Sequence, residues 1–548
     1  MNPPAGAGIP GVAAVDLPGH AVHVELEDLI TALCRPGAFP AEERVEEVRQ
    51  THASVVFLTR EHAWKLKKPV DFGFLDYSTA RKRARMCARE VDLNCRLAPG
   101  VYLGVAKARQ RADGSVGVGG RGPIVDSLVK MRRLADRDSL AERVADGQAG
   151  EEEVRAVARR IATFHRDCPL APPGFNAAAA FLANQADNLN GIAAASGLLM
   201  VPAFIERLGR SLAGLETRVW DELQGRQSLG WVRDGHGDLR MDHVYLEDGR
   251  TEVIDCIEFN DQFRYADIAL DVAFLAMDLE SKGYPDLARA LLEEHGRELG
   301  DGPSDSLMAA YLCYRALVRA KVAALAASEQ ELGADGMEVQ KLKALHSLLH
   351  AWRFATGERR PRLTLTMGLT GTGKSAAAAL LAGLLGAQVV SADETRKRLA
   401  GLGEHEHPAD GLDTGLYSDE MNRRVYAALL AAANESLMLG RSVVADATFQ
   451  RAADRTTARD LARMHGAVFS QFLCEAPEPV VKERLHVRAQ GAGDRWSDAG
   501  WDVYEAQRAR FEWPRAEEMA GTQRITTDRS RVEIARELMD RLTVAEAS

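Results

Sequence analysis

Short apolar runs separated by polar turns open the readable part of the chain. SVVFLT (Ser54–Thr59) predicts a strand, REH a turn and AWKLKK (Ala63–Lys68) a second strand. After the loop PVDFGFLDY, charged positions with helical spacing predict a strongly basic helix from about Thr79 to Leu97. VYLGVAKA and PIVDSLVKM read as further strands. From about Glu151 to Gln227 the pattern is helical, with Asn176–Leu199 rich in Ala. Strands return around VYLEDG and TEVIDC, and helices then run, with breaks, from Ile268 to about Phe354. Beyond Arg362 strands and helices alternate: LTLTM, helix, AQVVSAD, helices, RSVVADA, helix, AVFSQFLC, helices, QRITTD, helix. The last helix opens with S-x-x-E (Ser530, Glu533), a capping box. This alternation implies a parallel sheet with helices on both faces.

Residues 1–20, rich in Gly, Pro and Ala, are expected to form a loose tail, and TGERRPR (Thr356–Arg362) is the best boundary. The expected fold class is α/β and α+β in two domains, 21–355 and 363–548, joined by a linker over 356–362. A chain of 548 residues is too long for one core. With 46% hydrophobic and 27% charged residues it has the make-up of a soluble protein. A net charge of −10 disfavours nucleic acid as a partner without excluding a local basic groove. Seven scattered cysteines without a C-x-x-C pair argue against a disulfide framework and fit a reducing cytoplasm. The start lacks a basic region before an apolar one, so it does not read as a secretory signal. The most apolar segment, from Ser375 to Val390, is too short to span a bilayer. The expectation is a cytoplasmic protein with no membrane partner; nothing in the pattern specifies an oligomeric state.

Phosphoryl transfer from ATP requires a cation on the phosphates, a magnesium ion held by carboxylates and a base near the acceptor hydroxyl. The first half offers each in turn. Lys65 lies on the second strand, and Lys67, two residues on, shares its face, so either could meet phosphate. Glu90 on the basic helix is placed to pair with that lysine. In HGDLRMDH (His236–His243), Asp238 would orient and deprotonate the acceptor. Asp255 in VIDCIEFN ends a strand, where a metal-binding carboxylate belongs. Two literal motifs are decoys. D-F-G at Asp71–Gly73 precedes the catalytic loop, and H-R-D at His165–Asp167 falls inside a helix. No G-x-G-x-x-G lies in the strand and turn that lead directly into the lysine strand, so phosphate must be covered differently here.

HGD, then IDC, then RYADIALD resembles the aminoglycoside phosphotransferase and choline kinase superfamily over roughly residues 40–350. The resemblance implies a protein-kinase-like two-lobed fold with nucleotide between the lobes, and Asp267 holding loops rather than doing chemistry. His243 stands where that superfamily has Asn. Magnesium prefers hard oxygen ligands, and imidazole suits softer metals. His243 would bind one metal weakly, leave a site on Asp255 alone, or contact substrate. Glu258, three residues after Asp255, could supply a replacement oxygen.

GLTGTGKS (Gly368–Ser375) lies between the strand LTLTM and a helix, the context that identifies a P-loop. The loop Gly368, Gly371, Thr372 and Gly373 would cradle phosphates, Lys374 would reach the β and γ oxygens, and Ser375 would bind Mg²⁺. About 185 residues remain, too few for a full AAA+ module with lid and sensor arginines, but suited to a small kinase. Asp393 and Arg396 stand in D-x-x-R spacing after the second strand: the carboxylate could take the hydroxyl proton and the guanidinium hold an acceptor group. Asp446 ends RSVVADA as a Walker-B type magnesium carboxylate, and Thr448, Gln450 and Arg451 follow toward the acceptor. Arg484 and Arg488 share one helical face, with Arg495 in the loop beyond, as a lid over the transferring phosphate or as a solvated surface.

This half resembles the gluconate kinase, polynucleotide kinase and zeta-toxin group over about residues 361–545, without choosing among sugars, nucleoside-like alcohols and polynucleotide ends. The tandem resembles bacterial bifunctional aminoglycoside phosphotransferase-like/ATP-binding proteins, in which His at the position of His243 is common. Together the resemblances imply ATP and Mg²⁺ as cofactors and small-molecule hydroxyls as acceptors. Two readings follow. Either both halves transfer phosphate, or the first half is a binding or regulatory module and only the P-loop half is catalytic. A mechanical or toxin-type ATPase is the poorer third. Residues 176–227 and Leu402–Tyr417 are expected to help shape the two pockets.

Overall fold

The computed structural model describes residues 24–40, 43–73, 75–199, 201–328, 333–402, 418–489 and 500–544. The expected tail, Arg495 and all but the first residue of Leu402–Tyr417 lie outside the described residues. The chain forms two compact units. One is built from residues 1–150, 160–171 and 232–266, the other from 151–159, 172–231 and 267–548.

In the first unit, β1 (Glu47–Gln50), β2 (Ser54–Leu58), β3 (His62–Lys67), β4 (Tyr102–Gln110), β5 (Val116–Val118) and β6 (Ile124–Arg132) form an antiparallel sheet in the order β1-β2-β3-β6-β4-β5. Successive side chains of a strand point to opposite faces. Val55, Phe57, Trp64 and Leu66 therefore fill one core with Leu29, Leu33 and Phe39. Leu58 and Ala63 face the other side with Cys87. Cys87 belongs to the basic helix Ala80–Asn94, capped by the Thr79 hydroxyl on the Lys82 N–H at 3.3 Å. Despite its charge, this helix buries Arg83, Cys87, Glu90 and Asn94, spaced at three and four residues along one face. β7 (Val232–Asp234) precedes a hairpin of β8 (Val244–Glu247) and β9 (Arg250–Val253), and β10 (Tyr265–Asp267) follows. The hairpin turns on Asp248 and Gly249, both at positive φ (48° and 75°), as a two-residue Asp-Gly turn requires.

In the second unit, β11 (Arg362–Met367), β12 (Gln388–Ser391), β13 (Val443–Asp446), β14 (Val468–Glu475) and β15 (Thr522–Thr526) form a parallel sheet in the order β12-β13-β11-β14-β15. Every residue of β11 and β13 is buried, as expected of central parallel strands covered on both faces. The capping box forms as read: the Ser530 N–H donates to Glu533 at 3.1 Å, and the Glu533 N–H donates back at 3.4 Å. Helices from residues 267–356 pack onto this α/β layer. His346 on the helix Gly333–Thr356 bonds the Gly383 carbonyl at 2.6 Å, Arg359 pairs with Glu280 at 2.5 Å, and Arg441 pairs with Asp286 at 2.8 Å. A Cβ on Gly386 would fall 2.0 Å from the Ser281 carbonyl oxygen, so glycine permits the approach. The polar segment Thr356–Arg362 is a join inside this packed unit.

Candidate active sites

Strand alternation turns Lys65 and Lys67 to the face covered by the basic helix, and helical spacing turns Glu90 towards them. Glu90 is fully buried and takes Lys65 on one oxygen at 2.9 Å and Lys67 on the other at 2.6 Å. The two lysines then diverge. Lys67 is 1% exposed and also pairs with Glu258, whose carboxylate accepts from the Tyr77 hydroxyl. Lys65 keeps 15% side-chain exposure and reaches Asp255 Oδ1 at 2.5 Å. Burial alone would push both ammonium groups down. Asp255 and Glu90 around Lys65, and Glu258 and Glu90 around Lys67, outweigh it and hold both pKa values well above the ordinary lysine value. Against the upward push of burial, Lys65 and His243 hold the Asp255 carboxyl well below its usual range. Buried ions are tolerated only when paired in this way.

Asp255 sits at φ +67°, and its N–H donates to the Tyr102 hydroxyl at 3.1 Å. The next N–H, of Cys256, donates to Asn94 Oδ1 at 2.9 Å. The helix that aims Glu90 thus also pins the chain beside Asp255. In the loop His236–His243, His236 is fully buried. Its Nε2 lies 3.1 Å from the Ile254 carbonyl and therefore carries the proton, and its Nδ1 accepts the Asp238 N–H at 3.2 Å. Gly237 has φ +87°, and a Cβ there would meet Ile257 Cδ1 at 3.0 Å and the Phe263 carbonyl oxygen at 3.1 Å. His243 turns Nδ1 to Asp238, 3.0 Å from its carbonyl oxygen and 3.4 Å from Oδ2. Its Nε2 faces Asp255 Oδ2 at 3.7 Å. Asp238, His243 and Asp255 offer ligand atoms within 4.8 Å of one another. Glu258, considered from the sequence as a replacement oxygen, is not in this cluster, and its Oε1 is engaged by Lys67 and Tyr77. The decoys are structural: Asp71 accepts the Gly73 N–H at 2.9 Å in a turn, and His165–Asp167 lies within the helix Glu151–Asp167.

The P-loop leaves the C-terminal end of β11 at the centre of the parallel sheet, where open α/β sheets bind ligands. Gly371 (φ +76°) and Gly373 (φ +83°) need glycine twice over. A Cβ would fall 2.9 Å from Val481 Cγ1 at the first and 2.6 Å from Thr527 Oγ1 at the second. Gly373 caps the helix Lys374–Leu385, whose first N–H groups face the loop. The Thr372 hydroxyl donates to the Leu369 carbonyl at 2.8 Å, and Lys374 Nζ donates to the same oxygen at 2.8 Å. Burial pushes the Lys374 pKa down, against the pull of Asp446 and Asp393. Asp446 is paired in register with Thr366 and accepts its hydroxyl at 2.8 Å.

A cavity of about 960 Å³ opens over this loop. Gly371, Gly373, Lys374, Ser375, Asp393, Arg396, Asp446, Thr448, Gln450, Arg451, Arg484 and Arg488 all line it. Arg396 donates to Asn422 Oδ1 at 2.7 Å. Arg484, on the helix Glu478–Ala489, donates to the Thr527 hydroxyl at 3.0 Å and its carbonyl at 2.7 Å. That places this arginine against the phosphate loop rather than on a solvated face. Gln507, Tyr426, Arg423 and Arg510 also reach the cavity and were not expected. Gln507 accepts the Thr370 N–H at 2.8 Å, and Tyr426 accepts the Phe449 N–H at 2.9 Å. They come from helices without a readable motif, so no spacing could have found them.

Residues 363–514 match the family described as AAA domain. The uncharacterized protein Rv2004c of Mycobacterium tuberculosis is 35% identical over 472 residues, 83% of this chain and 91% of that protein. The uncharacterized protein Mb2027c of Mycobacterium bovis matches with the same identity and coverage. Among solved structures, a gluconokinase from Sinorhizobium meliloti is 22% identical, covering 34% of this chain and 94% of its own, at a TM-score of 0.24. The APS kinase of Mycobacterium tuberculosis is 24% identical over 33% of this chain and 98% of its own, at a TM-score of 0.23.

Proposed function

The chain belongs to the same protein family as Rv2004c of Mycobacterium tuberculosis, and on that premise we propose that it is an ATP-dependent phosphotransferase with two sites. Each site moves a γ-phosphoryl group to a hydroxyl of a small molecule. The observation that carries the reading is the P-loop cavity, where a phosphate-binding lysine, Lys374, shares one space with the carboxylates of Asp393 and Asp446. A pure nucleotide switch has no need of the first carboxylate; a kinase uses it as a base.

At this site the loop amides and Lys374 hold the β and γ phosphates. Ser375 and Asp446 would hold Mg²⁺ through the hard oxygen donors it requires, and the ion would offset phosphate charge. Asp393 accepts the acceptor's hydroxyl proton, while Arg396 and Arg451 hold the acceptor. Arg484 and Arg488 stabilise the charge spread over the transferring group. In the first unit, the resemblance to aminoglycoside phosphotransferases supports the parallel assignment. Lys65, the more exposed of the two lysines, meets phosphate, and Lys67 stays enclosed by Glu90 and Glu258. Asp238 is the base, and Asp255 with His243 faces the cation. The seven cysteines are all unpaired, which supports a cytoplasmic setting. Among the described residues no helix is long and apolar enough to cross a membrane.

Incubating the full chain with γ-labelled ATP and a metabolite extract tests the reading. Label should move to an organic acceptor, and Asp393→Asn should abolish at least one labelled product while ATP still binds. Release of inorganic phosphate alone would contradict it.

A further inference from the structure

His243 presents an unusual pair of faces. Its Nδ1 addresses Asp238 through both the carbonyl oxygen at 3.0 Å and the carboxylate at 3.4 Å. Both are acceptors, so Nδ1 carries a proton. In the neutral ring the Nε2 lone pair then points at another electron-rich atom, Asp255 Oδ2, 3.7 Å away. A nitrogen lone pair and a carboxylate oxygen repel each other unless a cation or a proton lies between them. The separation suits a cation: ligands at ~2.1 Å stand about 3 Å apart at a right angle and about 4 Å apart when opposite. Metal-binding histidines commonly donate the other ring N–H to a carbonyl or carboxylate, which fixes the tautomer and aims the lone pair. Asp238 does this for His243.

The two oxygens of Asp255 are addressed separately. Oδ1 receives Lys65 at 2.5 Å, and Oδ2 faces His243. A cation on Oδ2 therefore leaves the Lys65 pair intact, while two-oxygen chelation by Asp255 does not. Asn94, through the Cys256 N–H, and Tyr102, through the Asp255 N–H, hold this segment in place.

We propose that the first unit holds one divalent cation on His243 Nε2 and Asp255 Oδ2, beside Asp238, and selects a first-row transition ion such as Mn²⁺ over Mg²⁺. Imidazole is a borderline ligand that raises affinity along the transition series, whereas Mg²⁺ is best served by oxygen alone. The P-loop site, with Ser375 and Asp446, offers oxygens only. One chain thus carries two cation sites of different preference. The assignment deepens the phosphotransferase reading of the first unit, but the binding it claims needs neither ATP nor an acceptor.

Mn²⁺ titrated into the nucleotide-free full chain and followed by electron paramagnetic resonance tests it. One bound Mn²⁺ per chain is expected, with electron spin-echo modulation from a single imidazole nitrogen. His243→Asn, which substitutes an amide oxygen, should remove that modulation, weaken Mn²⁺ binding about tenfold or more, and let Mg²⁺ compete better. Bound Mn²⁺ without nitrogen modulation in the wild-type chain, or no bound Mn²⁺ at all, would overturn the assignment. So would a nitrogen signal that survives His243→Asn. Metal binding with this signature but no phosphoryl transfer would leave the metal site standing and defeat the catalytic reading alone.

Discussion

On the proposed function, two regions of this chain offer a cation to phosphate, and they are built by opposite means. At the P-loop the backbone does most of the work: positive-φ glycines bring N–H groups and a helix N-terminus together, and Lys374 folds over them. Around Lys65 the side chains do it, as two lysines (Lys65 and Lys67) pair with three carboxylates (Glu90, Asp255 and Glu258) in a largely buried cluster. The first design depends on shape and tolerates little added volume. The second depends on charge balance and tolerates little change of charge. Substitutions should therefore fail differently in the two places.

The largest effect is expected from Lys374→Ala, which should lower transfer at the P-loop about 100- to 1,000-fold, as removal of one preorganised charge stabiliser does. Steady-state kinetics checks it, with the melting temperature nearly unchanged because, among the described residues, Lys374 donates to a loop carbonyl rather than to a buried carboxylate. Glu90→Gln should instead be read first in stability. Breaking a buried ion pair by removing one partner costs about 3–5 kcal/mol, and denaturant unfolding of the first unit should show a loss of that order. A wild-type-like stability would mean that the charge cluster is not what holds Lys65.

The pH dependence sharpens the same contrast. Although burial pushes Glu90 up, Lys65 and Lys67 hold it below its ordinary value of 4.5. Its contribution is complete above that value and lost as pH falls through the lower folded value. Acid unfolding should be steeper in the wild-type chain than in Glu90→Gln below pH 4.5. Smallest is Gly371→Ala, at φ +76°. The left-handed conformation costs a non-glycine residue about 1–2 kcal/mol, so nucleotide binding, measured by calorimetry, should weaken about tenfold.

The same contrast explains what could be read from the sequence. GLTGTGKS is legible because its constraints are local: each glycine answers a backbone requirement within eight consecutive residues, and the flanking strand and helix are strongly patterned. Lys65 and Glu90 are also legible, each on an element whose periodicity fixes its face, whereas Asp238 and Asp255 lie in loops and are legible only through the motifs HGD and IDC. Which lysine stays partly exposed was not, because that depends on Glu258 and Tyr77 arriving from distant segments. For the same reason Glu258 read as a spare metal oxygen. Gln507 and Tyr426 were invisible because their roles come only from tertiary packing. Strands β1 and β5 and the helix Leu26–Leu33 escaped too: they are short, β1 is mostly exposed, and the helix buries only Leu29 and Leu33.

If one chain holds two phosphoryl-transfer sites, they should fail separately. The most direct measurement follows γ-labelled ATP with Asp238→Asn and Lys374→Ala made separately in the full chain, each checked for wild-type folding. Each variant should lose a different labelled product and keep the other's. If Asp238→Asn leaves every labelled product at its wild-type rate, the first site is not a transferase and the chain does not hold two such sites.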